Sequence, residues 1–284
     1  MILLSFDTEE FDVPREHGVD YDTLKEGMEV SKFGTCRILD VLKEEGVRAT
    51  FFCTANFAEQ APEVMQRIIS EGHEVAAHGC DHWHPQADDV IHSKQRVEAV
   101  MHNLGYSDFT ISGYRQPRMF PVSDEMIHQQ GYRYNSSLNP AFIPGRYMHL
   151  TAPRTPFWVF KPQGEDKGLL QIPASVTPYF RFPLFWLAMH NLPMWLYKSW
   201  CKWTWEHDGQ FVTYFHPWEF YPLGEHPEFK MPYIIRHHAG DDMKVRLKSL
   251  IRYLQEKGYE FGSYSEYAQL VAQKVQQANY KTHK

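Results

Sequence analysis

Short apolar runs alternate with segments of helical periodicity along the first part of the chain. The runs at 2–6, 47–53 and 74–77 are short and largely apolar, as expected for buried strands. Between them, residues 33–46 and 61–70 repeat apolar positions at helical spacing. Strands that alternate with helices in this way predict βαβ units, a parallel sheet and right-handed crossovers.

The same alternation continues towards the end of the chain. The further predicted elements are a helix near 92–103, a strand near 109–115, a helix at about 123–130, a strand near 132–136, a strand at 211–215, a helix at about 242–257, a strand at 259–262 and a final helix from Ser265. In parallel sheets and barrels the chemistry lies beyond the carboxyl ends of the strands. Functional side chains are therefore expected just after each predicted strand.

The pattern is less regular from 137 to 208, where prolines and aromatic residues are frequent. Pro183 and Pro193 divide this stretch, so one or two short helices are predicted instead of one long helix. We expect it to pack over one mouth of the barrel; stacking on sugar rings and contact with a lipid-linked glycan are the alternatives. We predict one domain over 1–284, with an aromatic-rich insertion at about 137–208.

The composition narrows the class of protein. The chain has 284 residues, of which 43% are hydrophobic and 23% charged, and this balance is typical of a globular protein. Its formal charge of −6 gives no reason to expect nucleic acid as a partner. The four cysteines are widely spaced without a CxxC pair, which indicates reduced thiols. Neither a signal peptide nor an apolar run of about 18 residues is evident, so a cytoplasmic location without a transmembrane segment is predicted.

Two carboxylates follow the first predicted strand. Because side chains alternate between the faces of a strand, Asp7 and Glu9 project to the same side while Thr8 turns away. Carboxylates held this close repel each other unless a cation or an arginine lies between them. The alternative is a solvated acidic strand end that continues through Glu10 and Asp12.

His78 and His82 follow the third predicted strand, with His84 close behind. Imidazoles four residues apart can converge on one ion when the backbone between them turns, and Gly79 permits that turn. With one carboxylate they would form a two-histidine, one-carboxylate set that leaves positions open for water and a substrate oxygen. A chance pair is the alternative, since the chain has 16 histidines.

A histidine and an arginine follow two other predicted strands. His216 lies in the segment FHPWE at 215–219, where a histidine at a strand end could serve as a general acid. Arg115 lies in the segment GYRQP at 113–117. In isolation, the first would be read as an ordinary strand-ending histidine and the second as a surface charge.

Taken together, these segments resemble the polysaccharide deacetylase (NodB-homology) family. The matching segments, in chain order, are SFDTEE at 5–10, ATFF at 49–52, HGCDH at 78–82, GYRQP at 113–117, GYRYNSS at 131–137 and FHPWE at 215–219. The first and last are most similar to the branch whose first motif reads Asp-Val-Glu-Asp, which is associated with bacterial exopolysaccharide and cell-envelope glycans. The resemblance implies an α/β fold: a distorted (β/α) barrel of about seven units, with parallel strands and outer helices.

The resemblance also implies a role for each candidate residue. Asp7 would be the catalytic base, Arg115 would orient and polarise it, and His216 would protonate the leaving amine. His78 and His82 would bind a divalent metal ion, with Zn²⁺ as the first choice and Co²⁺ or Ni²⁺ as alternatives.

The chain departs from the family pattern at two places. The family commonly has adjacent aspartates, a base and then a metal ligand, where this chain has Asp7 and Thr8. Glu9 is the replacement ligand that we predict, because it shares a face with Asp7 and its longer arm can reach the ion. Asn135 stands where the family usually has aspartate, and it is expected to support the site.

The implied function is a metal-dependent hydrolase that removes an acyl group, with acetyl first, from an N-acylated sugar of a bacterial polysaccharide or cell-envelope glycan. Trp218 and Tyr114 are the aromatic candidates for contact with this carbohydrate. Two alternatives stay open. One is a small-amide hydrolase of the same fold, similar to allantoinases or deformylases and able to act without metal; the other is a non-catalytic carbohydrate-binding protein. No oligomeric state is predicted.

Overall fold

The chain folds into a curved sheet surrounded by helices, in a computed structural model that describes residues 1–143 and 147–282. Its strands, in chain order, are β1 (Ile2–Thr8), β2 (Thr50–Cys53), β3 (Glu74–Ala77), β4 (Gly113–Tyr114), β5 (Tyr134–Asn135), β6 (Phe142–Ile143), β7 (Tyr147–Met148), β8 (Phe157–Phe160), β9 (Leu169–Gln171), β10 (Phe211–Phe215) and β11 (Phe261–Gly262). Its α-helices, in chain order, are α1 (Val13–Glu16), α2 (Met28–Glu45), α3 (Ala55–Gln60), α4 (Pro62–Ser70), α5 (Asp89–Asn103), α6 (Asp124–Gln129), α7 (Trp186–Asn191), α8 (Met194–Asp208), α9 (Tyr233–Arg236), α10 (Asp241–Glu256) and α11 (Tyr264–Thr282).

Parallel strands form most of the large sheet. Within the described residues, seven of them follow one another in the order β10-β1-β2-β3-β4-β5-β9. β8 pairs antiparallel with β9 at one edge, and β11 pairs with the beginning of β1. The two edges approach each other at Ser175, whose backbone N–H donates to the carbonyl of Val212 at 2.9 Å. The predicted distorted (β/α) barrel is therefore confirmed.

β1 shows how a strand divides its side chains between two cores. Ile2, Leu4 and Phe6 lie in the large core between the sheet and the helices. Leu3 lies in a second, smaller core inside the barrel. Because side chains alternate along a strand, the same inward face leads from Leu3 to Asp7 at the carboxyl end. Alternation along one strand thus places a charged group above an apolar barrel interior.

A close backbone approach joins α2 to the turn that follows β10. A Cβ atom on Gly34 of α2 would lie 1.8 Å from the backbone carbonyl oxygen of Pro217, so only glycine fits at this contact. The 3₁₀ turn Pro217–Phe220 begins directly after His216. The packing of α2 therefore fixes the height and direction at which His216 leaves β10.

Some boundaries differ from the sequence predictions. The strands at 74–77 and 211–215 have the boundaries that the apolar pattern predicted, whereas the strand predicted near 109–115 is only β4. In β4, the ring of Tyr134 occupies the space that a side chain at Gly113 would need. The barrel has little free space next to Gly113, because the side chain of Tyr134 fills its interior there.

The aromatic-rich stretch at 137–208 is partly barrel wall, because it contains β8 and β9 as well as α7 and α8; residues 144–146 lie outside the described part. Pro193 separates the two helices, as predicted. Phe185 stacks on Tyr214 of β10, with 5.3 Å between ring centroids, so the stretch packs against the wall near the candidate site. Across the described residues, no helix combines the length and apolar character needed to cross a bilayer.

Candidate active site

Six polar side chains meet at the carboxyl ends of the parallel strands. β1 and the residue directly after it supply two of them, and the segments after β3, β4 and β10 supply the other four. They are Asp7, Glu9, His78, His82, Arg115 and His216. All except Arg115 line one pocket, and Arg115 is fully buried against its wall. The structure therefore brings together every residue for which the sequence predicted a catalytic or metal-binding role.

Asp7 and Arg115 form a buried ion pair. The Arg115 guanidinium donates a hydrogen bond to Oδ1 of Asp7, and both side chains are almost inaccessible to solvent. Burial alone would raise the pKa of Asp7, but the adjacent charge of Arg115 outweighs it and holds the pKa below its usual value. Asp7 is therefore an ionised carboxylate at the floor of the pocket.

Side chains from several elements hold the Arg115 guanidinium in place. Its guanidinium also donates to the hydroxyls of Ser5 at 3.1 Å, Ser136 at 3.0 Å and Tyr264 at 2.9 Å. Its charge lies over the ring of Phe52, 3.9 Å from the centroid. A guanidinium with this many partners is rigid, so it fixes the carboxylate to which it is bound.

Glu9 lies between two imidazoles. Its Oε2 atom is 3.1 Å from Nε2 of His78 and 3.1 Å from Nε2 of His82, and the three atoms lie within 4.8 Å of one another. Burial raises the pKa of Glu9 well above its usual value, although His82 acts in the opposite direction. A buried carboxylate between two ring nitrogens is the environment that a cation would neutralise.

The other nitrogen of each imidazole faces an acceptor. Nδ1 of His78 lies 2.8 Å from the backbone carbonyl oxygen of Arg115, and Nδ1 of His82 lies 2.7 Å from Oδ2 of Asp12. These acceptors assign the ring proton to Nδ1, which leaves the Nε2 lone pairs directed at Glu9. Two lone pairs and a carboxylate facing one another require a positive charge between them. The residues present therefore fit a divalent cation with two imidazole ligands and one carboxylate ligand.

Asp12 and Arg118 complete this arrangement, and the sequence analysis missed both roles. Arg118 donates to Oδ2 of Asp12 at 2.9 Å and to the backbone carbonyl of His82 at 3.2 Å. Arg118 and Met119 both have positive φ, at 56° and 51°, a conformation that costs free energy in residues other than glycine. Asp12 is only 1% exposed, so it is not part of a solvated acidic strand end. In the sequence, the one available signal for the role of Asp12 was the run of acidic residues that continues past the first strand.

His216 stands on another side of the same pocket. Its ring stacks on Trp218 with 5.0 Å between centroids and meets the edge of Trp186 at 5.4 Å. Both tryptophans line the pocket, together with Ile235. The segment 236–238, which follows Ile235, therefore comes near the site without lining it. Trp218 lies where the sequence analysis placed it, and Trp186 is a contribution of the aromatic-rich stretch that sequence alone did not single out.

The structure does not support Tyr114 as a contact for substrate. Arg115 points into the site, so alternation directs the neighbouring Tyr114 to the outer face of β4. There Tyr114 is fully buried, packs against Tyr132 and donates to Oε1 of Gln116 at 2.5 Å. Asn135 also lies outside the pocket, because its amide is held by Asp124 at 2.8 Å.

The pocket is narrow, and a wider groove adjoins it. The pocket has a volume of about 70 Å³, and the groove next to it about 520 Å³. The two share Arg118 and Met119, and Phe120 and Phe157 line the groove. A larger cavity of about 630 Å³, lined by Met1 among others, lies where β1 begins, far from these groups. The site thus consists of a confined pocket beside a wider groove.

The comparisons with known proteins agree with this geometry. A sequence model described as "Polysaccharide deacetylase" matches residues 17–120, which include His78, His82 and Arg115. Over these residues the chain is similar to the polysaccharide deacetylase family. Asp7, Glu9 and His216 fall outside the matched residues, so the roles proposed for them rest on the geometry described above.

Two relatives illustrate the similarity. A peptidoglycan deacetylase of Helicobacter pylori is 29% identical over 125 residues, which are 41% of this chain and 41% of the relative. A peptidoglycan-N-acetylglucosamine deacetylase of Bacillus cereus is 44% identical over 101 residues, 34% of each chain. The chain thus matches less than half the length of these relatives.

The fold is shared with solved members of the family. The crystal structure of a polysaccharide deacetylase of Mycobacterium smegmatis, described as putative, superposes with a TM-score of 0.61 at 17% identity. The superposition covers 96% of this chain and 90% of that one. At this level of identity the likeness establishes the barrel fold and leaves the chemistry to the site.

Proposed function

We propose that this chain is a metal-dependent hydrolase that removes an acyl group, with acetyl expected first, from the amide nitrogen of an N-acylated sugar in a bacterial glycan. One observation carries the proposal. Glu9, His78 and His82 converge on a common point, and the same pocket holds the ionised Asp7 and the ring of His216. An anionic base, a cation site and an imidazole acid are the three groups that amide hydrolysis needs.

The cation site is assigned to Glu9, His78 and His82. A Zn²⁺, Co²⁺ or Ni²⁺ ion bound there would act as a Lewis acid on the acyl oxygen and would lower the pKa of a nearby water. Two imidazole nitrogens and one carboxylate suit these borderline ions better than Mg²⁺ or Ca²⁺, which prefer oxygen ligands. Glu9 thus takes the place that an aspartate at position 8 would have, because Thr8 is buried on the opposite face of β1.

Asp7 is proposed as the base. It takes the proton of the water that attacks the amide carbon. Arg115 keeps Asp7 ionised before the reaction and holds its second oxygen free to face the pocket. A carboxylate fixed by a rigid guanidinium loses no orientation when the water arrives.

His216 is proposed as the acid. An amide nitrogen is a poor leaving group unless it is protonated as the carbon–nitrogen bond breaks. The His216 ring is held between Trp218 and Trp186 beside the pocket, and it would donate its proton to that nitrogen. The proton lost by water and the proton gained by the amine balance, and the products are a carboxylate and an amine.

The groove next to the pocket supports a glycan as the substrate in preference to a small amide. Its volume of about 520 Å³ adjoins the narrow pocket, so a chain of sugars can lie along it while one acyl group enters. Phe120 and Phe157 line the groove, and aromatic rings pack well against the apolar faces of sugars. The named activities of the two bacterial relatives, both deacetylases of peptidoglycan, agree with this substrate class.

A substrate panel tests the proposal. The protein, stripped with a chelator and then reloaded with Zn²⁺ or Co²⁺, is incubated with N-acetylated sugars of increasing length, their N-formyl analogues, allantoin and simple formamides. We expect acetate release from the longer N-acetylated sugars, and only after metal is restored. Turnover of allantoin or formamides without metal would favour the small-amide hydrolase. Glycan binding without release of any acyl group would favour a carbohydrate-binding protein.

Replacement of the base tests its role separately. Asp7→Asn should lower kcat by about 10²- to 10⁴-fold, the range that removal of a general base usually costs. Zn²⁺ measured by elemental analysis should remain at one equivalent, because Asp7 is outside the proposed ligand set. Asp20→Asn, at an exposed aspartate, is the matched control. Normal activity in Asp7→Asn would remove Asp7 from the mechanism.

A cytoplasmic location is also a proposal. All four cysteines are free thiols, and Cys53 and Cys201 are buried, which supports a reducing compartment. In that compartment the substrate would be a lipid-linked or soluble precursor of the glycan. Fractionation of cells that carry the untruncated gene, followed by immunodetection, checks this location.

A further inference from the structure

Glu219 is a buried carboxylate directly behind His216. It is fully buried, and its Oε1 accepts the backbone N–H of His216 at 2.6 Å and lies 3.1 Å from Nδ1 of the same residue. The 3₁₀ turn Pro217–Phe220 brings the two residues together, three positions apart. Part of this contact is an ordinary helix cap, in which the third residue of a turn bonds back to the residue before it. The contact to the ring nitrogen goes beyond a cap.

The position of Glu219 determines which nitrogen of His216 can reach a substrate. A carboxylate beside Nδ1 holds a proton on that nitrogen, so Nε2 is the atom left for proton exchange in the pocket. The ring is also fixed by stacking on Trp218. Burial raises the pKa of Glu219 well above its usual value, and a protonated His216 ring against it favours the ionised carboxylate in return.

The second oxygen of Glu219 is held by a residue from the aromatic-rich stretch. Oε2 of Glu219 lies 3.1 Å from Nε2 of His190, which is fully buried on α7. Burial lowers the pKa of His190 to about 3, so this ring is neutral and donates its single N–H to the carboxylate. The two oxygens of Glu219 are thus divided between a ring that lines the pocket and a ring that never meets solvent.

We propose that Glu219 is the positioning residue for His216, and that His190 in turn positions Glu219. The proposal rests on the proposed function, in which His216 is the acid, and assigns to α7 a part in the chemistry. The other charged and titratable groups that act on this pair are Asp7 on β1, Glu9 just after β1, His237 and His238 after α9, and Arg246 on α10.

The leaving group provides a readout that a merely structural role would not change. Glu219→Gln should lower kcat for an N-acetylated sugar by at least about 10-fold, short of the 10²- to 10⁴-fold cost of losing a general acid altogether. The same variant should hydrolyse 4-nitrophenyl acetate within about 2-fold of the wild-type rate, because its phenolate leaves without a proton. The alkaline limb of the kcat–pH profile for the amide, where His216 loses its proton, should also move to lower pH.

A spectroscopic measurement keeps the test independent of turnover. Long-range ¹H–¹⁵N correlation spectra, with His216 assigned by comparison with His216→Gln, report which ring nitrogen is protonated. We expect the Nδ1–H form and a raised pKa in the wild type, and a mixture of forms with a lower pKa in Glu219→Gln. His190→Leu should show the same change more weakly, and His190→Gln, which keeps a donor, should restore the wild-type spectrum.

Matched controls separate this proposal from the proposed function. Glu228→Gln removes a carboxylate that also faces a histidine ring, at 2.8 Å from His226, but in an exposed pair outside the pocket. It should leave both substrates and the His216 signals unchanged. Equal losses on amide and ester, or unchanged His216 signals in Glu219→Gln, would overturn the positioning role.

If Glu219→Gln does not fold, Glu219→Asp, which keeps the charge on a shorter arm, is measured in the same way. Failure of the substrate panel with normal Glu219-dependent spectra would count against the proposed function alone.

Discussion

Hydrogen bonds to the far side of each imidazole decide what the near side can do in this protein. His78 is fixed by a backbone carbonyl and His82 by Asp12, so both rings offer Nε2 to the same point. His216 is fixed by Glu219 and also has Nε2 left for the pocket. At the scale of single residues, the site therefore depends as much on the acceptors behind the rings as on the rings themselves.

Asp12 provides one residue-scale prediction. Asp12→Asn should weaken Zn²⁺ binding by about 10- to 100-fold, because the carboxylate that fixes the proton of His82 is replaced by an amide. Competition with a chromogenic chelator measures the affinity without reference to activity. The control is Asp20→Asn, at an exposed aspartate a short distance further along the chain. An unchanged affinity in Asp12→Asn would show that His82 does not need this partner.

His73 provides a second prediction at the scale of single residues, which concerns the stability of the fold. Its Nδ1 accepts the backbone N–H of Ala49 at 3.3 Å, so the ring must be neutral, and burial lowers the pKa of His73 to about 4. The unfolded chain has a His pKa of about 6.5 and takes up a proton first as the pH falls. The stabilisation by neutral His73 is therefore complete above pH 6.5 and is lost as the pH falls towards 4.

The substitution His73→Asn isolates this effect, because Oδ1 of asparagine can accept the same N–H without titrating. Between pH 7 and pH 5, the free energy of unfolding should fall by about 1–2 kcal/mol less in His73→Asn than in the wild type. Urea unfolding at the two pH values measures the difference. His92→Asn, at an exposed histidine, should follow the wild type. Parallel losses in all three proteins would contradict the role given to His73.

At the scale of elements, the contact between α2 and the turn after β10 transmits core packing to the site. Gly34 on α2 lies against the backbone of Pro217, one residue after His216. Interiors are packed closely enough that an added methyl group forces neighbouring backbone to move. His216, the proposed acid, is therefore positioned by a helix that contributes none of the proposed catalytic side chains.

Gly34→Ala should show this dependence. The new Cβ would meet the Pro217 carbonyl oxygen at 1.8 Å, so we expect a loss of about 2–3 kcal/mol in the free energy of unfolding. In the folded fraction, kcat for the amide should fall because His216 is displaced. Gly224→Ala, where nothing lies within 4 Å of the new atom, should change stability by less than about 1 kcal/mol. Equal stabilities of the two variants in thermal and urea unfolding would show that α2 can shift freely.

At the scale of the whole molecule, the barrel and the aromatic-rich stretch both line the pocket and the groove, which we propose as one substrate channel. The barrel supplies the charged groups of the pocket, while the stretch supplies Trp186 to the pocket and Phe157 to the groove. Because the groove begins at Arg118 and Met119, the loop after β4 is common to both. Substrate length should therefore matter more than it would for a closed pocket.

Phe120→Ala tests the channel. Phe120 is half exposed and lines the groove but not the pocket, so its loss should raise KM for an N-acetylated tetrasaccharide by about 5- to 20-fold. The kinetic constants for an N-acetylated monosaccharide should stay within about 2-fold. Phe33→Ala, at an exposed aromatic on α2 outside the groove, is the control. An effect on both substrates, or on neither, would place the sugar chain elsewhere.

The sequence by itself determined the alternation of strands and helices, and with it the barrel and the edge at which the chemistry lies. Period-2 alternation was enough to place Asp7 and Glu9 on one face, because that face is a property of the strand backbone. The apolar runs also predicted the first and last residues of β3 and β10 correctly. Strands of two residues, such as β4 and β5, carry too little periodicity to be bounded in this way.

Only the tertiary structure decided which polar groups stand behind the site residues. Asp12 looked like part of a solvated acidic run, Glu219 like the end of a motif and His190 like one of many histidines, but all three are buried acceptors or donors. Their partners are up to 106 residues away in the chain, as in the contact between Asp12 and Arg118. Tyr114 was misplaced because a neighbouring position on a strand faces the other way. Local pattern determines the face of an element, whereas contacts between distant elements determine the charge and orientation of the groups on it.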